Sequence, residues 1–252
     1  MGRELVLYLL SKGASVVALD INKITLEETF ALAGSNKKQL TGYVLDITNK
    51  ESVEQCVDKI IAVHDQVDGL INNAGIIQPF VKLNELGYEA IERVIKVNFY
   101  GTLYMTKPLL PHLLTRPEAH IVNISSMGGF LPVPGQTIYG ATKAAVKLLT
   151  EGLHSELMDT NVKVTVVFPG AVNTNIMKNS GLNMPQQSST ENKSMNILSS
   201  SKAAQIIIDG MERNQYRILV GKDATFMDFI YRLKPTYAAK LIYSKMKAHL
   251  KS

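Results

Sequence analysis

The stretch HIVNISSMGGFLPVPGQTIYGATKAAVKLL, residues 120–149, decides the fold, because it joins a β-branched run to a helical pattern across a turn-rich loop. β-Branched residues favour strands, and a strand followed by a helix is part of a βαβ unit. The same alternation recurs along the chain and predicts a parallel sheet with crossover helices. The predicted strands are residues 15–20, 41–46, 69–75, 120–126, 163–170 and 216–222.

Helical patterns fill the segments between these runs. We expect helices over residues 52–64, 85–114 and 138–158. The apolar run at residues 5–10 is too short to span a bilayer and is cut by Ser11 and Lys12, so we interpret it as a buried crossover helix.

Length and composition fit one domain over residues 1–252, since a chain with 46% hydrophobic residues can bury one sizeable core. The only cysteine, Cys56, permits no internal disulfide and suits a reducing compartment, so we expect a cytoplasmic protein and a small core residue. The five histidines are scattered without ligand spacing, which indicates no metal site.

Tyr139 and Lys143 lie four positions apart in IYGATK, which places both side chains on one face of the predicted helix. A free tyrosine has a pKa of about 10, too high for efficient proton transfer near neutral pH. A neighbouring ammonium stabilises the phenolate and lowers that pKa. We therefore expect Lys143 to lie beside the Tyr139 hydroxyl and to lower its pKa.

Several predicted strands end in polar or turn residues, and parallel strands place their carboxyl ends at one edge of a sheet. Ligands of open α/β sheets bind outside that edge. The residues concerned are Asp20, Asp46, Asn73, Ser126 and Pro169.

Four motifs in register make the chain resemble the short-chain dehydrogenase/reductase family. They are NNAG at residues 72–75, NISSMGG with Ser126, YGATK with Tyr139 and Lys143, and PG at residues 169–170. The resemblance covers nearly the whole chain. It implies an α/β fold with a Rossmann-like doubly wound parallel sheet in three αβα layers. It also implies an NAD(P)-dependent oxidoreductase that interconverts a secondary alcohol and a ketone.

The resemblance assigns four catalytic residues. Tyr139 would act as the general acid/base on the substrate oxygen, and Lys143 would also bind the nicotinamide ribose. Ser126 would polarise the carbonyl, so Ser126 and Tyr139 are the expected substrate contacts. Asn98, in KVNFYG, matches the family's helix-kinking asparagine, which holds a water that joins the lysine to bulk solvent.

The adenosine side of the expected cofactor site begins at Asp20. A strand-end carboxylate accepts hydrogen bonds from the ribose hydroxyls and repels a 2′-phosphate, which indicates NAD, with NADP possible because Lys23 could pair with that phosphate. By the resemblance, Asp46 and the amide of Ile47 meet the adenine. Alternatively, Asp46 is the N-cap of the helix that begins near Ser52.

The nicotinamide side of the cofactor site is expected after the later strands. Gly75 would let the cofactor pass close over a strand end where a side chain would collide. Thr174 stands where the family binds the nicotinamide carboxamide, although PGAVNT could also be a simple strand-ending turn. The expected cofactor contacts of this side are Asn73, Ala74, Gly75, Tyr139, Lys143, Pro169, Gly170, Val172 and Thr174.

The N-terminus departs from the family pattern, because the first strand and most of the glycine-rich phosphate loop are missing. Gly2 corresponds to the last glycine of that loop and is the remaining expected cofactor contact there. We expect the lost strand at the sheet centre, between those ending at Asp20 and Gly75, and we expect Met1 to be an internal methionine of a longer protein. Losing such a strand would remove on the order of 10 kcal/mol of apolar burial, so the chain alone should be marginally stable.

Two functions remain open at this point. The first is an NAD-dependent oxidoreductase acting on a hydrophobic alcohol or ketone. The alternative is an inactive family member that has lost cofactor affinity through the missing loop and serves as a binding or regulatory protein. The complete Ser126, Tyr139 and Lys143 set favours the enzyme, since an abandoned active centre has no physical reason to keep its geometry.

The substrate side is expected next to the loop that follows Ser126. Phe130, Leu131 and Val133 suggest an apolar pocket, although the same residues could be core under the loop. Residues 176–201 are polar over much of their length and are the expected mobile lid.

Residues 226–252 are the expected basic amphipathic C-terminal segment, since the chain from Arg232 onward carries six Lys or Arg residues and no acid. Such a segment could lie on an anionic membrane surface, but we favour a cover for the substrate cleft or a subunit contact. The basic charge is local and no recognition motif accompanies it, so no nucleic-acid partner is expected. The resemblance implies a homodimer or homotetramer built on the long helices around Asn98 and after Tyr139.

Overall fold

A computed structural model of the chain describes residues 1–182, 197–247 and 250. Strands and helices alternate along it, as the sequence predicts. The strands are β1 (Val16–Asp20), β2 (Leu40–Val44), β3 (Gly69–Asn72), β4 (Ala119–Ile124), β5 (Val162–Pro169), β6 (Val172–Asn173), β7 (Leu198–Ser199) and β8 (Arg217–Val220). The helices are α1 (Gly2–Ser11), α2 (Lys23–Ala33), α3 (Lys50–His64), α4 (Tyr88–Ile95), α5 (Gly101–Leu114), α6 (Thr137–Glu156), α7 (Ile176–Asn179), α8 (Ser200–Glu212), α9 (Lys222–Leu233) and α10 (Pro235–Met246).

The main sheet is parallel and has the order β3-β4-β5-β8. Its register places Gly69 opposite His120 and Ala119 opposite Val162. β1 and β2 form a separate parallel pair, and the two-residue strands β6 and β7 form another. All six predicted strands are confirmed, whereas the β6–β7 pair lay outside the prediction because two-residue strands carry no periodic signal.

Among the described residues, no strand pairing joins the β1–β2 pair to the main sheet. In the same part of the chain, β1 pairs only with β2, and β3 pairs only with β4. The start of α1 meets the end of β3, because a Cβ on Gly2 would lie 2.7 Å from the Nδ2 of Asn73.

Helices cover both faces of the main sheet. Alternating residues of β4 show this directly, since Ile121 packs with α3, α5 and α6, whereas Val122 and Ile124 pack with α1 and α8. Cys56 of α3 is buried in the same cluster as Ile121, as predicted, and burial raises the pKa of its thiol. The three layers confirm the predicted Rossmann-like α/β class.

One predicted helix is interrupted, and the predicted C-terminal segment contains a break between two helices. The helix expected over residues 85–114 contains a π-helical turn at Lys96–Tyr100, which separates α4 from α5. The C-terminal segment is two helices, because Pro235 lacks an amide hydrogen and disfavours helical backbone at Lys234.

The predicted lid at residues 176–201 is only partly described. It begins as the short helix α7, and its last residues form β7 and the first turn of α8. Residues 183–196 lie outside the described residues. In the part of the chain that the structure describes, no helix is long and apolar enough to cross a membrane, and no cluster of side chains could hold a metal ion.

Candidate active site

The predicted site residues gather at the carboxyl edge of the sheet, because all the pairings are parallel. Asn73 follows β3, Ser126 lies just past β4, and Pro169 ends β5. Helix α6 starts beside this edge and brings Tyr139 and Lys143 to it. Sequence-distant segments therefore meet around one small volume.

Ser126 and Tyr139 are in direct contact. The Oγ of Ser126 accepts a hydrogen bond from the amide of Gly128 at 3.0 Å, which fixes the turn after β4. The Ser126 side chain lies close enough to the Tyr139 hydroxyl to lower the pKa of that hydroxyl. A Cβ on Gly128 would lie 3.4 Å from the tyrosine ring and 3.5 Å from the Ser126 Oγ, which places both side chains beside this glycine. The pair thus presents two hydroxyl groups at one point of the sheet edge.

Burial raises the pKa of Tyr139, and the nearby Ser126 side chain offsets only part of that rise. The prediction that Lys143 lowers this pKa is wrong in direction, because desolvation of the phenolate outweighs the other effects. The ammonium of Lys143 instead donates to the carbonyl oxygen of Ile124 at 2.8 Å. Lys143 is itself only 4% exposed, and burial lowers its pKa to about 8.

Asn98 fastens the NNAG loop to α6 from the π-helical turn. Its Oδ1 accepts from the amide of Ile76 at 2.8 Å, and its Nδ2 donates to the Ile76 carbonyl at 2.9 Å and to the Thr142 hydroxyl at 3.0 Å. A Cβ on Gly75 would lie 3.2 Å from the Nζ of Lys143 and 3.3 Å from the Oδ1 of Asn98. Gly75 therefore lets the loop pass close to both side chains.

Gln78 is a site residue that the sequence analysis missed. It is fully buried, and its Oε1 accepts from the amides of Ile138 at 2.8 Å and of Tyr139 at 3.0 Å. These are orphan donors in the first turn of α6, whose N-cap residue Gln136 makes no side-chain cap. The absence of Ser, Thr, Asp or Asn at that cap position was the available signal that a distant acceptor is needed.

Asp223 is a second missed residue. Its carboxylate accepts from the amide of Ala171 at 2.6 Å and fills the space where a Cβ on Gly170 would be. The turn after Pro169 is therefore held by the start of α9. Val172 continues into β6, and Thr174 follows it, partly buried.

The two asparagines of NNAG differ in their contacts. Asn72 braces two neighbouring elements, since its Nδ2 donates to Asn123 at 2.8 Å and to Thr106 at 3.0 Å. The Oδ1 of Asn73 is buried, and within the described residues it has no hydrogen-bond partner. A buried acceptor without a donor is costly, so this atom suits a bound ligand that supplies one.

The side chains of the two adenosine-side aspartates, Asp20 and Asp46, hydrogen-bond only within their own loops. Asp20 is exposed at the end of β1, and its carboxylate accepts from the amide of Asn22 at 2.9 Å. The ammonium of Lys23 lies 3.7 Å from the carboxylate of Glu27, both well exposed, so Lys23 sits on the solvent side of α2.

Asp46 is not the N-cap of α3. The cap is Asn49, whose side chain accepts from the amide of Ser52 at 2.9 Å. The carboxylate of Asp46 instead accepts from the amide of Thr48 at 2.9 Å, which shapes the loop after β2. The side chain of Ile47 packs against Gly101 at the start of α5, outside that loop.

The loop after Ser126 is covered by the C-terminal helices. Leu131 is 1% exposed and belongs to a cluster with Met227 of α9 and Ala238 of α10. Phe130 and Val133 pack against the same cluster. Of the two interpretations of these apolar residues, core under the loop fits the burial of Leu131 and the packing of Phe130 and Val133.

Several known proteins are similar to this chain in sequence or in fold. The family model described as short chain dehydrogenase matches residues 1–185. SadH of Mycobacterium tuberculosis is 34% identical over 96% of this chain and 90% of its own length, and the 3-oxoacyl-acyl-carrier-protein reductase FabG of Thermotoga maritima is 33% identical over 69% and 70%. Among solved structures, a short chain dehydrogenase/reductase from Burkholderia phymatum in complex with NAD has a TM-score of 0.80 at 23% identity, covering 92% of this chain and 90% of that one. ElxO with NADP bound has a TM-score of 0.78 at 26% identity, covering 89% and 94%.

Proposed function

The chain belongs to the short-chain dehydrogenase family, and on that premise we propose that it is an NAD(P)-dependent oxidoreductase that interconverts a secondary alcohol and a ketone. The observation that carries the proposal is the placement of the Ser126 and Tyr139 side chains side by side next to Gly128, backed by the buried ammonium of Lys143. A hydroxyl pair beside a cation is what a carbonyl group needs for polarisation and protonation.

Tyr139 is the proposed general acid in ketone reduction. Its hydroxyl is protonated at neutral pH, so a proton is available for the substrate oxygen, although burial moves the pKa of the hydroxyl further from the value that suits proton transfer. Ser126 would donate a second hydrogen bond to the same oxygen and so favour its developing negative charge. Lys143 and Asn98 would hold the geometry, since both fasten α6 to neighbouring strand ends and loops.

The proposed cofactor is NAD, with NADP as the possible substitute. Solved structures similar to this chain are described in complex with each of them. The buried Oδ1 of Asn73 and the close approach of Gly75 to Lys143 fit a ligand passing over the end of β3. When bound, the nicotinamide supplies hydride transfer.

The chain's own residues supply binding and orientation of this cofactor. The residues proposed to hold it are Gly2, Asp20, Asp46, Ile47, Asn73, Ala74, Gly75, Tyr139, Lys143, Pro169, Gly170, Val172 and Thr174.

The test is turnover of the purified chain with NADH or NADPH against a panel of apolar ketones, and with the oxidised cofactors against the matching alcohols. We expect reduction of at least one apolar ketone and a loss of about a hundredfold or more in Ser126→Ala. A well-folded chain that binds NADH but turns over none of the panel would favour the non-catalytic alternative.

A homo-oligomer is the proposed assembly, built on the helices around Asn98 and after Tyr139. Leu148 of α6 is 68% exposed and Leu114 of α5 is 44% exposed, which supports a contact on these helices. Light scattering of Leu148→Glu is expected to give a smaller particle than the unmodified chain, and an unchanged mass would place the contact elsewhere.

A further inference from the structure

Helix α9 exposes a row of large apolar side chains. Phe226, Phe229 and Leu233 are 53%, 60% and 65% exposed. Their spacing of three and four places them on one side of the helix. The other side is buried, since Met227 packs in the cluster that contains Leu131. Apolar side chains that lie together on a solvent-exposed surface often mark an interaction site, whereas single exposed apolar residues need no explanation.

Helix α10 continues this surface with aromatic residues. Tyr237 and Tyr243 are 56% and 55% exposed. Ala238 and Ile242, on the opposite side of α10, are buried in the same cluster as Met227. Because both helices turn their other sides into one cluster, both exposed sides face away from the body of the protein. We call these two exposed sides the hairpin face.

The charge on the hairpin face has one sign. Lys222, Lys240 and Lys247 are exposed on it. The only two acidic residues of α9 and α10 are engaged inward: the Asp228 carboxylate bonds Arg217 and Arg232, each at 2.9 Å, and Asp223 accepts from the amide of Ala171. Two copies of such a face would repel each other, which disfavours a self-contact.

We propose that the hairpin face docks the protein on an anionic lipid bilayer. The phenylalanine and leucine side chains enter the boundary between headgroups and acyl chains, the tyrosine rings lie at headgroup level, and the lysines meet the lipid phosphates. An apolar row set among lysines matches both parts of such a surface, whereas duplex nucleic acid keeps its base faces stacked and offers no apolar layer for these side chains to enter. The α9–α10 pair lies on the surface and spans nothing.

Docking in this way places the substrate side of the active site close to the bilayer. The buried cluster beneath the hairpin face includes Leu131, five residues after Ser126, with Phe130 packed against it. Delivery of an apolar ketone or alcohol from the membrane to this site rests on the proposed function, but the docking itself does not.

The test is co-sedimentation of the full chain with vesicles of phosphatidylcholine alone or mixed with phosphatidylglycerol. We expect binding to the mixed vesicles, weakened by salt because exposed charges are screened. Phe226→Ser/Phe229→Ser/Leu233→Ser should lower the affinity tenfold or more. Lys222→Gln/Lys240→Gln/Lys247→Gln should lower it about a hundredfold, at roughly fivefold per charge.

Matched controls change equally exposed residues elsewhere. Leu32→Ser/Val63→Ser/Met158→Ser removes three apolar side chains that are 60%, 65% and 63% exposed, and Lys37→Gln/Lys38→Gln/Lys59→Gln removes three exposed charges. Both controls should bind vesicles like the unmodified chain, and all variants should keep its circular dichroism, because exposed side chains contribute little to folding.

Three results would overturn the docking. One is no binding to phosphatidylglycerol vesicles at low salt. Another is equal affinity of the hairpin-face variants and their controls. The third is a hairpin-face variant that converts a larger particle to a smaller one in light scattering without vesicles, which would make the face a subunit contact. None of these depends on turnover, so failure of the proposed function is seen separately in the ketone assay.

Discussion

The two ends of the candidate cofactor site are held in different ways. At the nicotinamide end, hydrogen bonds join residues far apart in the chain, such as Gln78 to Tyr139 and Asn98 to Thr142. At the adenosine end, the side chains of Asp20 and Asp46 bond only residues two positions further on. The nicotinamide end is therefore held by contacts between distant parts of the fold, whereas the adenosine end consists of two locally held loops. Substitutions at the first should disturb both activity and stability, and those at the second should change only the cofactor preference.

The largest effect is expected from Tyr139→Phe at the nicotinamide end. The ring and its packing against Gly128 stay, but the proposed proton donor is lost. We expect turnover to fall by a hundredfold or more, the usual contribution of general acid–base catalysis, with NADH affinity largely retained. Steady-state rates and NADH titration measure the two quantities.

Tyr88→Phe is the matched control for this prediction, because Tyr88 is 82% exposed at the start of α4. It should leave turnover and stability unchanged. Retention of more than a few per cent of turnover in Tyr139→Phe would remove Tyr139 from the proposed mechanism.

Gln78→Met tests whether the nicotinamide end is part of the fold. The variant keeps the volume but leaves the amides of Ile138 and Tyr139 without their acceptor in a buried place. We expect the free energy of unfolding to drop by about 2 to 3 kcal/mol, with lower turnover because the first turn of α6 loosens. Urea unfolding measures the first quantity.

Thr48→Val is the corresponding change at the adenosine end, since it removes the hydroxyl bond to Asp46. Its effect on the free energy of unfolding should stay within about 0.5 kcal/mol. Equal losses in Gln78→Met and Thr48→Val would mean that the two ends are held alike.

The sequence predicted the parts of this structure that depend on periodic patterns. All six main strands follow from β-branched runs, and the buried crossover helix at residues 2–11 follows from its apolar run. The gathering of Ser126, Tyr139 and Lys143 follows from the strand end and the spacing of four. These features are local in sequence or follow from parallel topology, so no contact between distant side chains had to be known.

The parts that sequence did not predict depend on distant side chains. Gln78 caps a helix 60 residues away, and Asp223 holds a turn 52 residues before it, and neither has a periodic signal. The pKa of Tyr139 is raised, whereas the sequence predicted a lowered value. The cause is burial of the side chain, which depends on packing that the YGATK motif does not encode. The functions of the site residues stay predictions until the variants are measured.

A pH titration of stability tests the burial of Lys143. Its pKa is about 8 in the folded chain against 10.5 for an exposed lysine. Between these values the unfolded chain binds more protons, so the free energy of unfolding should rise with pH. From pH 8 to 10 the contribution of Lys143 is about 2 kcal/mol, since one pKa unit corresponds to about 1.4 kcal/mol.

The measurement is urea unfolding of the unmodified chain and of Lys143→Met at several pH values. The difference between their two curves should grow by that amount as the pH rises, because other titrating groups cancel. Lys147→Met, one turn further along α6, retains Lys143 and should keep the rise. A pH-independent difference would mean that Lys143 is well solvated.

The smallest effect is expected at the adenosine end, from Asp20→Ala. The exposed carboxylate at the end of β1 should repel a 2′-phosphate, so the unmodified enzyme should prefer NADH to NADPH by about tenfold or more in kcat/KM, which is about 1.4 kcal/mol. Asp20→Ala should narrow that ratio and leave the free energy of unfolding unchanged, because the side chain bonds only Asn22 in its own loop. Lys23→Ala is the companion variant, since Lys23 lies beside Glu27 on the solvent side of α2 and should not alter the ratio. An unmodified enzyme that prefers NADPH, with that preference lost in Lys23→Ala, would show that Lys23 rather than Asp20 selects the cofactor.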